Sequence, residues 1–250
     1  MSPFLCNFAV AMMTTHDFLH MADAAMAATE VANWPADTFL RRAAMPDPSA
    51  PSDSTSPVEW HSLIPFLPLH TRVLFLGSFP PQRKRWCIDF FYPNFINDHW
   101  RIEGLVFYSD AQYFVEGKSF KLREIVGHLK RYGIGFFDTA IAVRRLADNA
   151  SDKFLEVVVP TDIYAMVEHL PELRAIVTTG EKATATIAGA LGLKDGKGNL
   201  LLPKVGSAIS LPFRNIELYR LPSSSRAYPM TLPKKAEAYK AMFERYLDWK

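Results

Sequence analysis

Four short runs of apolar, β-favouring residues punctuate the second part of the chain: RVLFLG (Arg72 to Gly77), IGFFD (Ile134 to Asp138), AIVTT (Ala175 to Thr179) and IELYRL (Ile216 to Leu221). Between them the apolar period changes from two to about 3.6. Leu122, Ile125, Val126 and Leu129 fall on one helical face closed by Gly133, and Ile163, Met166, Val167 and Leu170 repeat that spacing after Thr161 as N-cap. EKATATIAGALG predicts a further helix ending at Gly192, and PKKAEAYKAMFERYLDW a C-terminal one. Near-continuous apolar strands separated by helices predict a parallel sheet buried on both faces. The expected fold is therefore α/β, a three-layer α/β/α sandwich on a four-stranded parallel sheet. Right-handed crossovers place every strand's C-terminal end on one edge, where open α/β sheets bind ligands.

The pattern starts only at Val58. From Met45 to Pro57 the chain reads MPDPSAPSDSTSP, with almost nothing to bury, which predicts a flexible linker. The alanine-rich segment before it, HDFLHMADAAMAATEVANW, has a thin apolar face and reads as a marginal helix or a tail. Residues 1–57 are thus expected to be an extension, and 58–250 the functional domain.

Composition narrows the class. At 250 residues, 49% hydrophobic and 22% charged, the chain can bury one sizeable core. No run approaches the ~18 apolar residues of a membrane span, and FLCNFAVAMM lacks a basic flank and a cleavage site, so a cytoplasmic protein is expected. Cys6 and Cys87 alone support neither a disulfide framework nor a cysteine-ligated cluster, and no metal or cofactor is expected. The net charge of +2 does not itself announce a nucleic-acid partner, although local patches can outweigh the total.

The strand-end segments are GSFPP, DTA, TGEKA and LPSSS. They are small, hydroxyl-bearing or kinked, so a ligand could approach the backbone closely. Glycine, serine and proline follow strands in many α/β proteins, and it is the four together that carry weight. The first runs straight into QRKRW, a basic loop suited to an anion or to plain solvation.

In order and approximate spacing, GSFPP, FFYPNFINDHWRI, GIGFFDTA followed by NASD, TTGEKA and LPSSSRA resemble the uracil-DNA glycosylase superfamily, most closely its hypoxanthine-DNA glycosylase-like branch. The resemblance covers roughly Val58 to Leu247. It implies a metal-independent enzyme that hydrolyses the N-glycosidic bond of a deaminated base flipped from DNA, in base-excision repair. DNA is the implied partner, and a monomer away from membranes is expected.

The residues can be carried over one by one. Well-known members end the first motif in Gly-x-(Asp or Asn)-Pro, whose polar residue orients the attacking water; here that position is Phe79, which cannot. The hypoxanthine-type branch instead places an asparagine ahead of a tryptophan, and NDHW supplies Asn97 three residues before Trp100. Asn97 is the catalytic candidate, its alternative role being to cap the helix that HWRIEGLVF suggests. Asp138 stands where relatives hydrogen-bond the extruded base, often with Asn. As a carboxylate it only accepts, which suits a base with a ring N–H; it could equally just close its strand. Leu221 replaces the His or Asn that precedes Pro-Ser in relatives and polarises the leaving base, so Ser223, Ser224, Ser225 or backbone N–H groups would have to act instead.

By the same resemblance Gly77, Ser78, Phe79 and Pro80 line the base pocket, and Phe91, Tyr92 or Trp100 could stack on the base, although WCIDFFYPNF could also be core. A base–aromatic stack contributes roughly 1–3 kcal/mol, close to the cost of extrusion. Arg83, Lys84 and Arg85 lie where phosphates would pass, and the loop of Pro222, Ser225 and Arg226 resembles the one that presses into the duplex. Two other classes stay open. The losses at Phe79 and Leu221 would fit a weak or inactive nucleic-acid binder of the same fold. A serine hydrolase built on Ser223 to Ser225 lacks any G-x-S-x-G elbow.

Overall fold

The structure is a computed structural model that describes residues 56–147 and 152–249. The N-terminal extension, nearly all of the linker, Cys6 and most of NASD lie outside the described residues. At the centre is a five-stranded sheet in the order β5-β2-β8-β10-β9. Its strands are β2 (Val73–Gly77), β5 (Ile134–Asp138), β8 (Ala175–Thr179), β9 (Ser207–Ser210) and β10 (Glu217–Leu221). The first, second, third and fifth of these pair in parallel and coincide with the four apolar runs. The expected sheet was four-stranded and wholly parallel. It is mixed, because β9 pairs antiparallel with β10 at the edge; β9 reads SAIS, too short and too polar to stand out from a loop.

Alternation along β2 assigns the layers. Phe75 faces Tyr239 and Phe243 of α5 (Leu232–Tyr246) and His99 of α1 (His99–Tyr108). Leu76 points the other way and pairs with Thr178, whose hydroxyl lies 2.8 Å from that of Thr184 on α4 (Glu181–Ala190). Helices therefore cover both faces. The helix α2 (Leu122–Tyr132) ends as expected at Gly133, which takes a left-handed φ of 67°. The short helix α3 (Ile163–Glu168) is capped by Asp162, whose carboxylate accepts from Ala165 N–H, and not by Thr161. Thr161 has another use: its hydroxyl donates to the backbone oxygen of Asp138 at 2.6 Å.

A second, three-stranded antiparallel sheet stands beside the first. It comprises β1 (Val58–Trp60), β6 (Ala140–Arg145) and β7 (Leu155–Pro160), with β6 in the middle. The chain leaves β5 at Asp138 and enters β6 after Thr139 alone, so Asp138 sits at the junction of the two sheets. Two-residue strands β3 (Val115–Glu116) and β4 (Ser119–Phe120) form a small hairpin.

Candidate active site

The C-terminal ends of the parallel strands meet at a cleft of about 660 Å³, a size typical of ligand sites. Register brings its first two residues together: Gly77 closes β2 directly opposite Asp138 closing β5. A Cβ on residue 77 would lie 2.4 Å from Asp138 Oδ1. Glycine is thus required here to admit the carboxylate.

Asp138 is held from behind. His61 Nε2 lies 2.9 Å from Asp138 Oδ2, and His61 Nδ1 sits 2.8 Å from the Leu63 carbonyl oxygen. The side chains are only 2% and 10% exposed. Phe79, Phe91 and Phe137 surround the imidazole, with centroids 5.3, 6.4 and 4.5 Å away. One carboxylate oxygen is consequently fixed by His61 while Oδ1 lies against Gly77, and both residues line the cleft.

Phe79 has a structural task that explains its presence. Its ring packs on the satellite core of Ala140, Val143 and Leu155, and the Arg145 guanidinium lies 5.7 Å above it. Arg145 also donates to the Pro80 carbonyl at 2.5 Å and to Glu59 at 2.8 Å, so the GSFPP turn is clamped to the second sheet.

On the facing wall Tyr92 adopts a left-handed φ of 49°, strained for an aromatic residue. Its ring stacks on His99 at 3.8 Å and 3°, and its hydroxyl meets Thr179 Oγ1 at 2.8 Å. Burial pushes the Tyr92 phenol well above its ordinary value, so it stays neutral. Beneath this stack lies a fully buried trio. Glu103 contacts His99 Nε2 at 2.9 Å and His128 Nε2 at 2.8 Å. Burial would raise the Glu103 carboxyl, but the bonds from His128 and His99 outweigh it and bring it down to about 2.

Asn97 lines the cleft and, although Asp98 occupies the N-cap position of α1, its Oδ1 accepts from the first helical N–H, that of His99, at 2.9 Å. The two roles proposed for it coincide in space, because the helix start opens on the cleft. The next residue, Asp98, is buried and bonds Lys235 Nζ at 3.2 Å and Arg226 at 3.1 Å, while its N–H donates to the Ser224 carbonyl at 3.0 Å. Lys235, 1% exposed, donates also to the Ser225 carbonyl at 2.8 Å. Breaking such a buried pair at one end typically costs 3–5 kcal/mol. The LPSSSRA loop is therefore bolted to α1 and α5.

Of the residues singled out in the sequence, Gly77, Ser78, Phe79, Pro80, Phe91, Tyr92, Asn97, Asp138, Ser223, Ser224 and, at the rim, Arg85, Ser225 and Arg226 border this one cleft. Others do not. Trp100 is fully buried and donates to the Phe91 carbonyl, so it is core and not a stacking platform. Pro222 is buried beneath its loop, where its carbonyl accepts from Tyr239, and is out of reach of a duplex. Arg83 and Lys84 are exposed on a 3-10 turn outside the cleft, with Arg83 paired to Asp89 at 3.0 Å. The two cleft serines already have partners within the protein: Ser223 Oγ accepts from Ser225 N–H, and the buried Ser224 bonds Tyr239.

Four contributors were not evident in the sequence: His61, Arg145, Thr179 and Asp152. Asp152 lines the cleft beside Ser78. Burial raises its carboxyl above the ordinary value, Ser78 opposes the shift, and the Asp138 charge adds to it. Two carboxyl groups, Asp138 and Asp152, thus line one space. Among the described residues no group of three or more His, Cys, Asp or Glu is placed to hold a metal ion, and no helix is long and apolar enough to cross a membrane.

No protein-family model matches the chain, and none of the curated proteins does. Among solved structures, one from Methanosarcina acetivorans described as a “putative Uracil DNA glycosylase”, determined by solution NMR, aligns with a TM-score of 0.50 and 22% identity over 75% of this chain and 99% of that one. The chain shares its fold with that structure.

Proposed function

We propose that this protein is a DNA glycosylase that hydrolyses the N-glycosidic bond of a deaminated base, uracil or hypoxanthine, extruded from DNA. The observation that carries this reading is the convergence of Gly77, Asn97, Asp138 and the Ser223–Arg226 loop on a single cleft open at the strand ends. Asp138 Oδ1 accepts from the ring N–H that both bases present, with Gly77 leaving room for the contact. Tyr92, backed by His99, forms a flat apolar wall for the base.

The chemistry asks for little covalent help. As the bond from C1′ to the base nitrogen breaks, its electron pair leaves with the base, and a water oxygen bonds to the oxocarbenium-like C1′. Asn97 holds that water. It cannot take the proton, which passes to the departing base or to solvent, so a modest rate is expected. With Leu221 unable to assist the leaving group, Asp152, a cleft residue whose carboxyl burial raises above its ordinary value, is the group placed to donate an O–H to the base when protonated.

The test is release of free base from duplex oligonucleotides carrying uracil, hypoxanthine or xanthine, read as alkali-labile sites. Alkali-labile sites at one or more lesions support the reading. Tight lesion binding without any release would favour the non-catalytic binder that Phe79 and Leu221 suggest.

A further inference from the structure

Extruding a base leaves a gap in the stack, and proteins that bend or open DNA commonly fill such gaps with an apolar wedge. The LPSSSRA loop offers three serines and an arginine but no large apolar side chain after Pro222. The neighbouring loop does. Ile96 is 56% exposed and lines the mouth of the cleft next to Asn97.

A lone surface isoleucine needs no explanation. What sets Ile96 apart is how firmly its backbone is held. Its N–H donates to Asn94 Oδ1 at 3.1 Å, and Asn97 N–H donates to the Asn94 carbonyl at 2.8 Å. On either side of it, the carbonyls of Phe95 and Asn97 both accept from the Arg101 guanidinium, at 2.8 and 3.1 Å. That guanidinium lies over the contacting rings of Phe95 and Phe120, 4.5 and 5.4 Å from their centres. An apolar side chain is thus presented to solvent from a rigid turn, within one residue of the catalytic candidate and on the rim that carries Arg85 and Arg226.

We propose that Ile96 is the wedge that enters the duplex where the base has left, and that Arg101 positions it. The proposal rests on the glycosylase reading of the cleft. It differs in locating the wedge on the loop before α1 and not on the LPSSSRA loop.

The test compares single-turnover base release from a hypoxanthine-containing duplex and from the same strand alone. Ile96→Ser should lower the duplex-to-single-strand rate ratio about tenfold, since it removes the offset to unstacking. Ile96→Leu should retain most of the ratio, and Arg101→Lys, whose compact ammonium cannot lie flat over the Phe95 and Phe120 rings as the planar guanidinium does, should lower it. An equal loss on both substrates, or Ile96→Leu as harmful as Ile96→Ser, overturns the proposal. A second readout does not need catalysis: 2-aminopurine beside the lesion should brighten when the wild-type protein binds and not when Ile96→Ser binds. Brightening without base release would sink the glycosylase reading and keep the wedge; release without brightening would do the reverse.

Discussion

His61 and Asp138 lie 77 positions apart in the chain and 2.9 Å apart in the fold, sealed together by three phenylalanine rings. The pair holds Oδ2 and leaves Oδ1 against Gly77 in the cleft wall. Replacing the imidazole by a ring of similar size that cannot bond, His61→Phe, leaves a buried acceptor unsatisfied, a loss of about 1–3 kcal/mol. If that loss falls on base positioning, base release slows by roughly 5- to 150-fold. His61→Gln, which retains a donor, should recover part of the rate. Single-turnover kinetics of both variants check this; His61→Phe releasing base at the wild-type rate would remove His61 from the site.

Gly77→Ala is a second probe of the same contact. The added methyl would stand 2.4 Å from Asp138 Oδ1, so the carboxylate must swing away and abandon His61. The fold should survive, at a cost of about 1–3 kcal/mol for the broken bond, while base release drops about tenfold or more. Thermal melting and activity, measured side by side, distinguish this from global unfolding.

The basic turn divides into unequal parts. Arg85 borders the cleft, whereas Arg83 is neutralised by Asp89 and lies 4.3 Å over the Trp86 ring. Arg85→Ala should reduce the slope of log affinity against log salt by roughly 0.9, the loss of one phosphate contact. Arg83→Ala should change it less. DNA titrations across a range of salt read both slopes.

Acid should destabilise the fold in two stages. Burial lowers the His99 pKa below its ordinary 6.5, so below that pH the unfolded chain binds a proton that the fold resists. Glu103 titrates near 2 in the fold against an ordinary 4.5; its contribution is complete above 4.5 and is lost as pH falls toward 2. Denaturant midpoints measured from pH 8 to pH 3 should decline first below about 6.5 and more steeply below 4.5. In Glu103→Gln the second stage should be blunted.

The central architecture was legible because it is written in apolar periodicity. VLFLG, IGFFD, AIVTT and ELYRL are buried on both faces and cannot be mistaken for solvated segments. The second sheet was not. Ala140–Arg145 follows β5 after a single residue and carries register shifts around Ala142, so AIAVRR lacks a clean period, and DTA read as a loop. Missing that sheet meant missing His61, which follows β1, and Arg145, which ends β6. Asp152 had a signal, the NASD segment, but no partner in sequence to give it a role. Trp100 and Pro222 failed in the opposite direction: aromatic clusters and loop motifs reveal residue type, not which way a side chain faces. Thr161 looked like a cap because threonine before an apolar run commonly is one; Asp162 took that bond and left the Thr161 hydroxyl to Asp138.

Asn97 bears most directly on whether the cleft is a catalytic site, because it both accepts from the first N–H of α1 and lines the cleft. Asn97→Ala removes both functions, whereas Asn97→Ser preserves a capping oxygen and withdraws the amide. Base release should be measured for the wild type and both variants, with a lesion that the wild type processes. If Asn97 positions the water, the melting temperature of Asn97→Ser should stay close to wild type, and release should fall in Asn97→Ser about as severely as in Asn97→Ala. Release by Asn97→Ser at the wild-type rate would contradict that role, leaving Asn97 as a helix cap and the chemistry to other groups.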